Sequence, residues 1–124
     1  MEASFVHRYG PWAVVTGGAR GIGKALTEKV ASRGLNVIIV DILEEAHQVA
    51  REISERFQIQ AKVIQADLGD LGHVERVIKE CEPFSIGLFC CNHASTHLFP
   101  DGKLRLWLDT SEKDLDIMLQ VNLV

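Results

Sequence analysis

The sequence predicts an α/β fold, a doubly wound parallel sheet, and three observations predict it. A short apolar run suited to a strand, Trp12-Ala13-Val14-Val15, leads into the glycine-rich segment Thr16-Gly17-Gly18-Ala19-Arg20-Gly21-Ile22-Gly23. A helical pattern follows over 22–33, and Gly34 stands where a C-terminal cap belongs. The next apolar run, Val37-Ile38-Ile39-Val40, has no polar face, as a parallel strand covered on both sides requires. Strands alternating with helices in this way build βαβ units.

The elements follow in order. The first strand spans 12–16. A chain leaving a buried strand must turn sharply, and Gly17 takes a positive φ without a Cβ penalty. Gly21 leaves room for a backbone to approach a pyrophosphate, and Gly23 lets the helix pack closely on the strand. The helix start offers unpaired N–H groups and a positive dipole end to a phosphate. Ile22, Ala25, Leu26 and Val30 supply its apolar stripe. The second strand covers 36–40 and ends at Asp41. A helix over 43–57 carries the stripe Ile42, Ala46, Val49, Ala50, Ile53 and Phe57, with period 3.6. The third strand is 61–65. Asp67 follows, readable as a loop acid or a helix cap. The helix over 71–81 has Leu71, Val74, Val77, Ile78 and Cys81 on one side, and Pro83 stops it. The fourth strand, 86–91, runs into Asn92-His93-Ala94-Ser95. A long connection covers 96–110. Ser111-x-x-Asp114 then opens a helix in capping-box fashion. That helix, 112–124, is apolar on more than one side and reads as buried twice, on its own sheet and against a partner.

Bulk numbers narrow the class. A chain of 124 residues makes one domain, and 47% apolar with 24% charged residues reads as globular. A net charge of −4 gives a nucleic-acid partner no electrostatic support. Three cysteines without a framework argue against a secreted disulfide fold. Residues 1–10 lack an apolar core of signal-peptide length, and no apolar run spans a membrane, so the default expectation is a cytoplasmic protein. Cys90, Cys91, His93 and His97 invite a zinc reading. Adjacent strand residues point to opposite faces, so both thiols do not reach one tetrahedral centre; the expectation is no metal.

Thr-Gly-x-x-x-Gly-Ile-Gly, carried by Thr16, Gly17, Gly21, Ile22 and Gly23, resembles the short-chain dehydrogenase/reductase superfamily. The resemblance implies a Rossmann domain that binds NAD or NADP, with Thr16 bracing the turn. Asp41, at the end of strand two, is placed to hold the adenosine ribose 2′-OH. A carboxylate there repels a 2′-phosphate: two unit charges ~4 Å apart interact by about 4 kcal/mol at an effective dielectric of 20. That favours NAD. Arg20 keeps NADP open, because a basic residue before the second motif glycine often goes with NADP in the family. Arg20 pairs either with a 2′-phosphate or with Asp41. Asp41 also reads as a helix N-cap. By position, the resemblance gives Asp67 the adenine amino group. Asn92 and Ala94 match the family's Asn-Asn-Ala-Gly beside the cofactor, while His93 and Ser95 depart from it. Val121-Asn122-Leu123 matches a helix motif whose Asn joins a catalytic proton relay, which makes Asn122 the candidate catalytic residue. The family packs the corresponding helix across a dimer interface, so 112–124 implies a homo- or hetero-oligomer.

The family's catalytic Tyr-x-x-x-Lys has no counterpart, since the only tyrosine is Tyr9. In the family order 3-2-1-4 the fourth strand stands at an edge, where an apolar strand is an aggregation template. The expectation is therefore one incomplete NAD(P)-binding domain over 1–124, inactive alone. It reads as the cofactor half of an oxidoreductase acting on a small-molecule carbonyl/alcohol pair. The alternative is an inactive nucleotide-binding or dimer-forming protein. Tyr9-Gly10-Pro11-Trp12 and Ile86-Gly87 are more weakly similar to the branch of 17β-hydroxysteroid dehydrogenases and very-long-chain 3-oxoacyl-CoA reductases, which suggests a lipid-like substrate.

Overall fold

A computed structural model describes residues 2–92. Four parallel strands, β1 (Trp12–Thr16), β2 (Asn36–Asp41), β3 (Ala61–Gln65) and β4 (Ile86–Cys90), form one sheet in the order β3-β2-β1-β4. The helices are α1 (Glu2–Tyr9), α2 (Gly21–Ser32), α3 (Glu45–Phe57) and α4 (Leu71–Cys81). The predicted doubly wound parallel sheet is thus present, with strand three matching its expected bounds and α4 likewise.

The strands divide their side chains between two cores. Ala13, Val15, Val37 and Ile39 pack under α2 and α3 with Val30, Ala31, Leu35, Ala46, Val49 and Ile53. Val14, Ile38, Val40 and Ile64 face the other way, toward Val77 and Cys81 of α4 and toward Trp12 and Phe84. That alternation explains why the runs Trp12 to Val15 and Val37 to Val40 have no alternating polar face: both faces are covered. The α4 side is thinner. Among the described residues no side chain of α4 is fully buried, and Leu71 and Ile78 are exposed.

One predicted stripe shifts, and another holds apart from its first residue. In α2 the buried positions are Gly23, Thr27, Val30 and Ala31, whereas Ile22 is 76% exposed. In α3 they are Ala46, Val49, Ala50 and Ile53, and Ile42 lies exposed in the preceding turn. The helix begins at Glu45 because Leu43 and Glu44 still belong to the turn that Asp41 organises.

The α1 helix was not expected. It sets Phe5, Val6 and Tyr9 against the first core, and the Arg33 guanidinium lies over the Phe5 ring at 4.2 Å. Pairing between β1 and β4 is irregular at Gly87: Trp12 faces Ile86, but Ala13 faces Leu88. A Cβ on Gly87 would lie 2.5 Å from the Tyr9 carbonyl oxygen. The extra residue switches Leu88 and Cys90 onto the α2/α3 face.

The helix over 112–124, Ala94, Asn122, His93 and Ser95 lie outside the described residues.

Candidate functional site

The glycine segment turns the chain from the C-terminal end of β1 into α2. Gly17 has φ +69° and its N–H donates to the Val40 carbonyl at 2.7 Å, which ties the turn to β2. Arg20 caps α2 in an extended conformation, φ −143° and ψ 160°, and its side chain makes no capping bond. Around Gly21 a Cβ would meet nothing within 4 Å. The start of α2 is therefore a set of N–H groups at a positive dipole end, beside open space.

Gly23 is the tightest position. A Cβ there would stand 1.8 Å from the Gly17 carbonyl oxygen and 2.6 Å from Asn92 Nδ2. The expected close packing of helix on strand is thus a contact with the turn itself.

Thr16 and Asn92 hold that turn from the β4 side. The Asn92 N–H donates to Thr16 Oγ1 at 3.1 Å, and Thr16 Oγ1 donates to the Cys90 carbonyl at 3.4 Å. Asn92 Nδ2 donates to the Thr16 and Gly17 carbonyls at 3.2 and 3.3 Å. Thr27, which the sequence pattern missed, adds a tie from below: its buried hydroxyl lies 2.8 Å from the Gly23 carbonyl and 3.3 Å from that of Gly18. A Thr on the inner face of the helix after a glycine turn was the available signal.

Asp41 is 6% exposed. One of its oxygens accepts the Ala19 N–H at 3.0 Å and the other accepts the Leu43 N–H at 3.0 Å. It is not the N-cap of α3, which is Glu44. It fastens the glycine turn to the end of β2 and leaves its remaining lone pairs at the strand ends.

Arg20 does not pair with Asp41. Its Nε donates to Glu45 Oε2 at 2.7 Å, and Nη2 bonds Glu45 Oε1. The carboxylate raises the Arg20 pKa, chiefly through this hydrogen bond, with Asp41 the smallest influence. In turn Arg20 lowers that of Glu45 through the same bond. Parallel neighbours β1 and β2 launch α2 and α3 side by side, which brings the two helix starts within reach.

Asp67 is exposed in a turn of its own, accepting the Gly69 N–H at 2.9 Å. The helix cap is Asp70, which accepts the Gly72 and His73 N–H groups, so Asp67 is the loop acid of the two readings. His73 Nδ1 accepts the Asp67 N–H at 2.9 Å and fixes that loop. A cleft of about 510 Å³ lies between α2 and α3, lined by Lys24, Glu45, His47 and Arg51 among others. Burial pushes up the thiols of Cys81 and Cys90, while Cys91 is exposed.

This geometry has counterparts. A family model described as short chain dehydrogenase matches residues 11–124. The chain is 36% identical to hydroxysteroid dehydrogenase-like protein 1 of Gallus gallus, over 98% of this chain and 36% of that one. It is 34% identical to very-long-chain 3-oxoacyl-CoA reductase of Anas platyrhynchos, over 93% and 37%. Against inactive hydroxysteroid dehydrogenase-like protein 1 of Homo sapiens the figures are 32%, 98% and 36%. Among solved structures, a 7beta-hydroxysteroid dehydrogenase superposes with a TM-score of 0.81 at 28% identity, over 94% of this chain and 43% of that one. A 3-oxoacyl (acyl-carrier-protein) reductase from Agrobacterium tumefaciens with NADP bound gives 0.78 at 25%, with the same coverage of 94% and 43%. The chain thus spans 36–37% of the length of these curated relatives. From the first strand onward, the match and the glycine turn place the chain in the short chain dehydrogenase family.

Proposed function

We propose that this chain is the dinucleotide-binding part of an oxidoreductase that interconverts a ketone and an alcohol with NAD, NADP being possible. One observation carries the reading. The uncapped start of α2, open at Gly21, lies beside a buried carboxylate at the end of the neighbouring strand. Phosphate groups suit the first feature and a ribose hydroxyl the second. On this reading Thr16, Gly17, Gly21, Ile22 and Gly23 shape the pyrophosphate site. Asp41 accepts from the ribose, Arg20 stands near its 2′ position, and Asp67 meets the adenine. Asn92 and Ala94 flank the pocket, and Asn122 belongs to the proton relay. When bound, the nicotinamide supplies the hydride donor or acceptor. The names of relatives acting on steroids and 3-oxoacyl chains support a lipid-like carbonyl compound as substrate. The segment 112–124 is the proposed oligomer contact, and the cytoplasm the proposed compartment. No helix among the described residues is long and apolar enough to cross a membrane.

Titration of the chain with NAD and NADP tests the site. Asp41→Asn keeps a carbonyl acceptor and removes the charge, so the affinity ratio should move toward NADP by about tenfold or more, the scale of a screened charge–charge contact. An unchanged ratio would remove Asp41 from the ribose.

A second reading is favoured by the human relative named inactive. In it the chain binds the dinucleotide or a partner subunit and performs no chemistry. Ketone reduction by the chain with either cofactor would overturn this second reading.

A further inference from the structure

We infer that Glu45 sets the coenzyme preference of this site by occupying Arg20, an inference that rests on the dinucleotide reading above. Arg20 is the N-cap residue of α2, directly before Gly21. An arginine in that region is the group that accommodates a 2′-phosphate in a dinucleotide fold. Here one edge of its guanidinium, Nε and Nη2, is already engaged by one carboxylate. A bidentate carboxylate takes two donors, in one plane, that a phosphate would otherwise use. Glu45 is thus an internal surrogate for the 2′-phosphate.

The position of Glu45 fits this task. It is the first residue of α3, where an acidic side chain is favoured by the helix dipole. Both side chains remain largely in solvent, 66% exposed for Arg20 and 53% for Glu45. The pair is therefore screened and exchangeable: it biases the choice and does not forbid NADP. Asp41 and Glu45 act on the same discrimination by different routes. Asp41 repels the phosphate directly, while Glu45 withholds the cation that would bind it.

The test is a two-by-two set of variants titrated with NAD and NADP: wild type, Glu45→Gln, Arg20→Gln and the double variant. With Arg20 present, Glu45→Gln should raise NADP affinity relative to NAD by about fivefold, the scale of one exposed ion pair. Glu45→Ala should do the same, which separates the effect from any new bond made by the glutamine. In the Arg20→Gln background the same substitution should move the ratio by less than about twofold, since the cation it releases is gone. Equal shifts in both backgrounds would overturn the inference, because Glu45 would then act as a bare charge. No shift in either would overturn it as well. If wild type binds neither dinucleotide, the site reading itself fails and this inference falls with it. Binding of both with an unmoved ratio sinks the Glu45 role alone.

Discussion

Gly23→Ala should be the most damaging single-methyl change in the turn. The added Cβ would sit 1.8 Å from the Gly17 carbonyl oxygen, where real contacts do not fall below 3.0 Å. The carbonyl or the helix must move by at least about 1.2 Å to relieve it, and a packed interior resists such a shift. Movement of the carbonyl disturbs the Gly17 N–H bond to Val40, 2.7 Å, and the Asn92 amide bonds to Thr16 and Gly17. At about 0.5–1.5 kcal/mol for each of these bonds, their loss costs about 2–4 kcal/mol. Alanine's better helix propensity returns only about 1 kcal/mol. The net expectation is a loss of about 1–3 kcal/mol, in line with overpacked sites elsewhere. Urea unfolding followed by circular dichroism measures it, with exposed Ser32→Ala as the control that should stay within about 0.5 kcal/mol. A Gly23→Ala chain as stable as the control would show that the turn yields freely. The close-packing argument would then be wrong.

Two further outcomes are expected. Thr16→Val removes, at a 6% exposed residue, the hydroxyl bonds to the Asn92 N–H and the Cys90 carbonyl, which keep only their own 3.1 Å bond to each other. It should lower stability by about 1–3 kcal/mol, whereas Thr16→Ser should recover most of the loss in the same urea assay. A disulfide reagent at pH 8 should label exposed Cys91 well before Cys81 and Cys90, whose thiols burial pushes up and so keeps protonated; mass mapping that found Cys90 labelled first would contradict this.

The strands were legible because a sheet covered on both faces leaves a mark that survives in one dimension: unbroken runs such as Val37 to Val40. The glycine turn was legible because its constraints fall on single residues. What did not show was what depends on distant elements meeting. Arg20 was read against Asp41 or a phosphate, yet its partner is Glu45, made available by the parallel launch of two helices. Ile22 was placed in a stripe, but the first turn of α2 projects past the end of β1 and leaves it exposed. Asp67 and Asp70 compete for one cap, and only the path of the loop chooses between them. The α1 helix escaped because eight residues carry little intrinsic helix stability. Its packing against the first core and Arg33 supplies the rest.

The bond between Thr16 and Asn92 joins residues 76 positions apart, and that separation bears on the order in which the protein comes into being. During synthesis, β1, α2 and β2 leave the ribosome early and can pair at once. The residue that clamps their turn is made roughly 4–15 s after Thr16, at ordinary elongation rates of about 5–20 residues per second. Closing so long a segment also carries an entropic charge that local pairing does not. The nascent chain therefore passes through a stage with a sheet already seeded and its glycine turn still unlatched. The turn is latched only when β4 arrives, so its formation reports that β4 has docked.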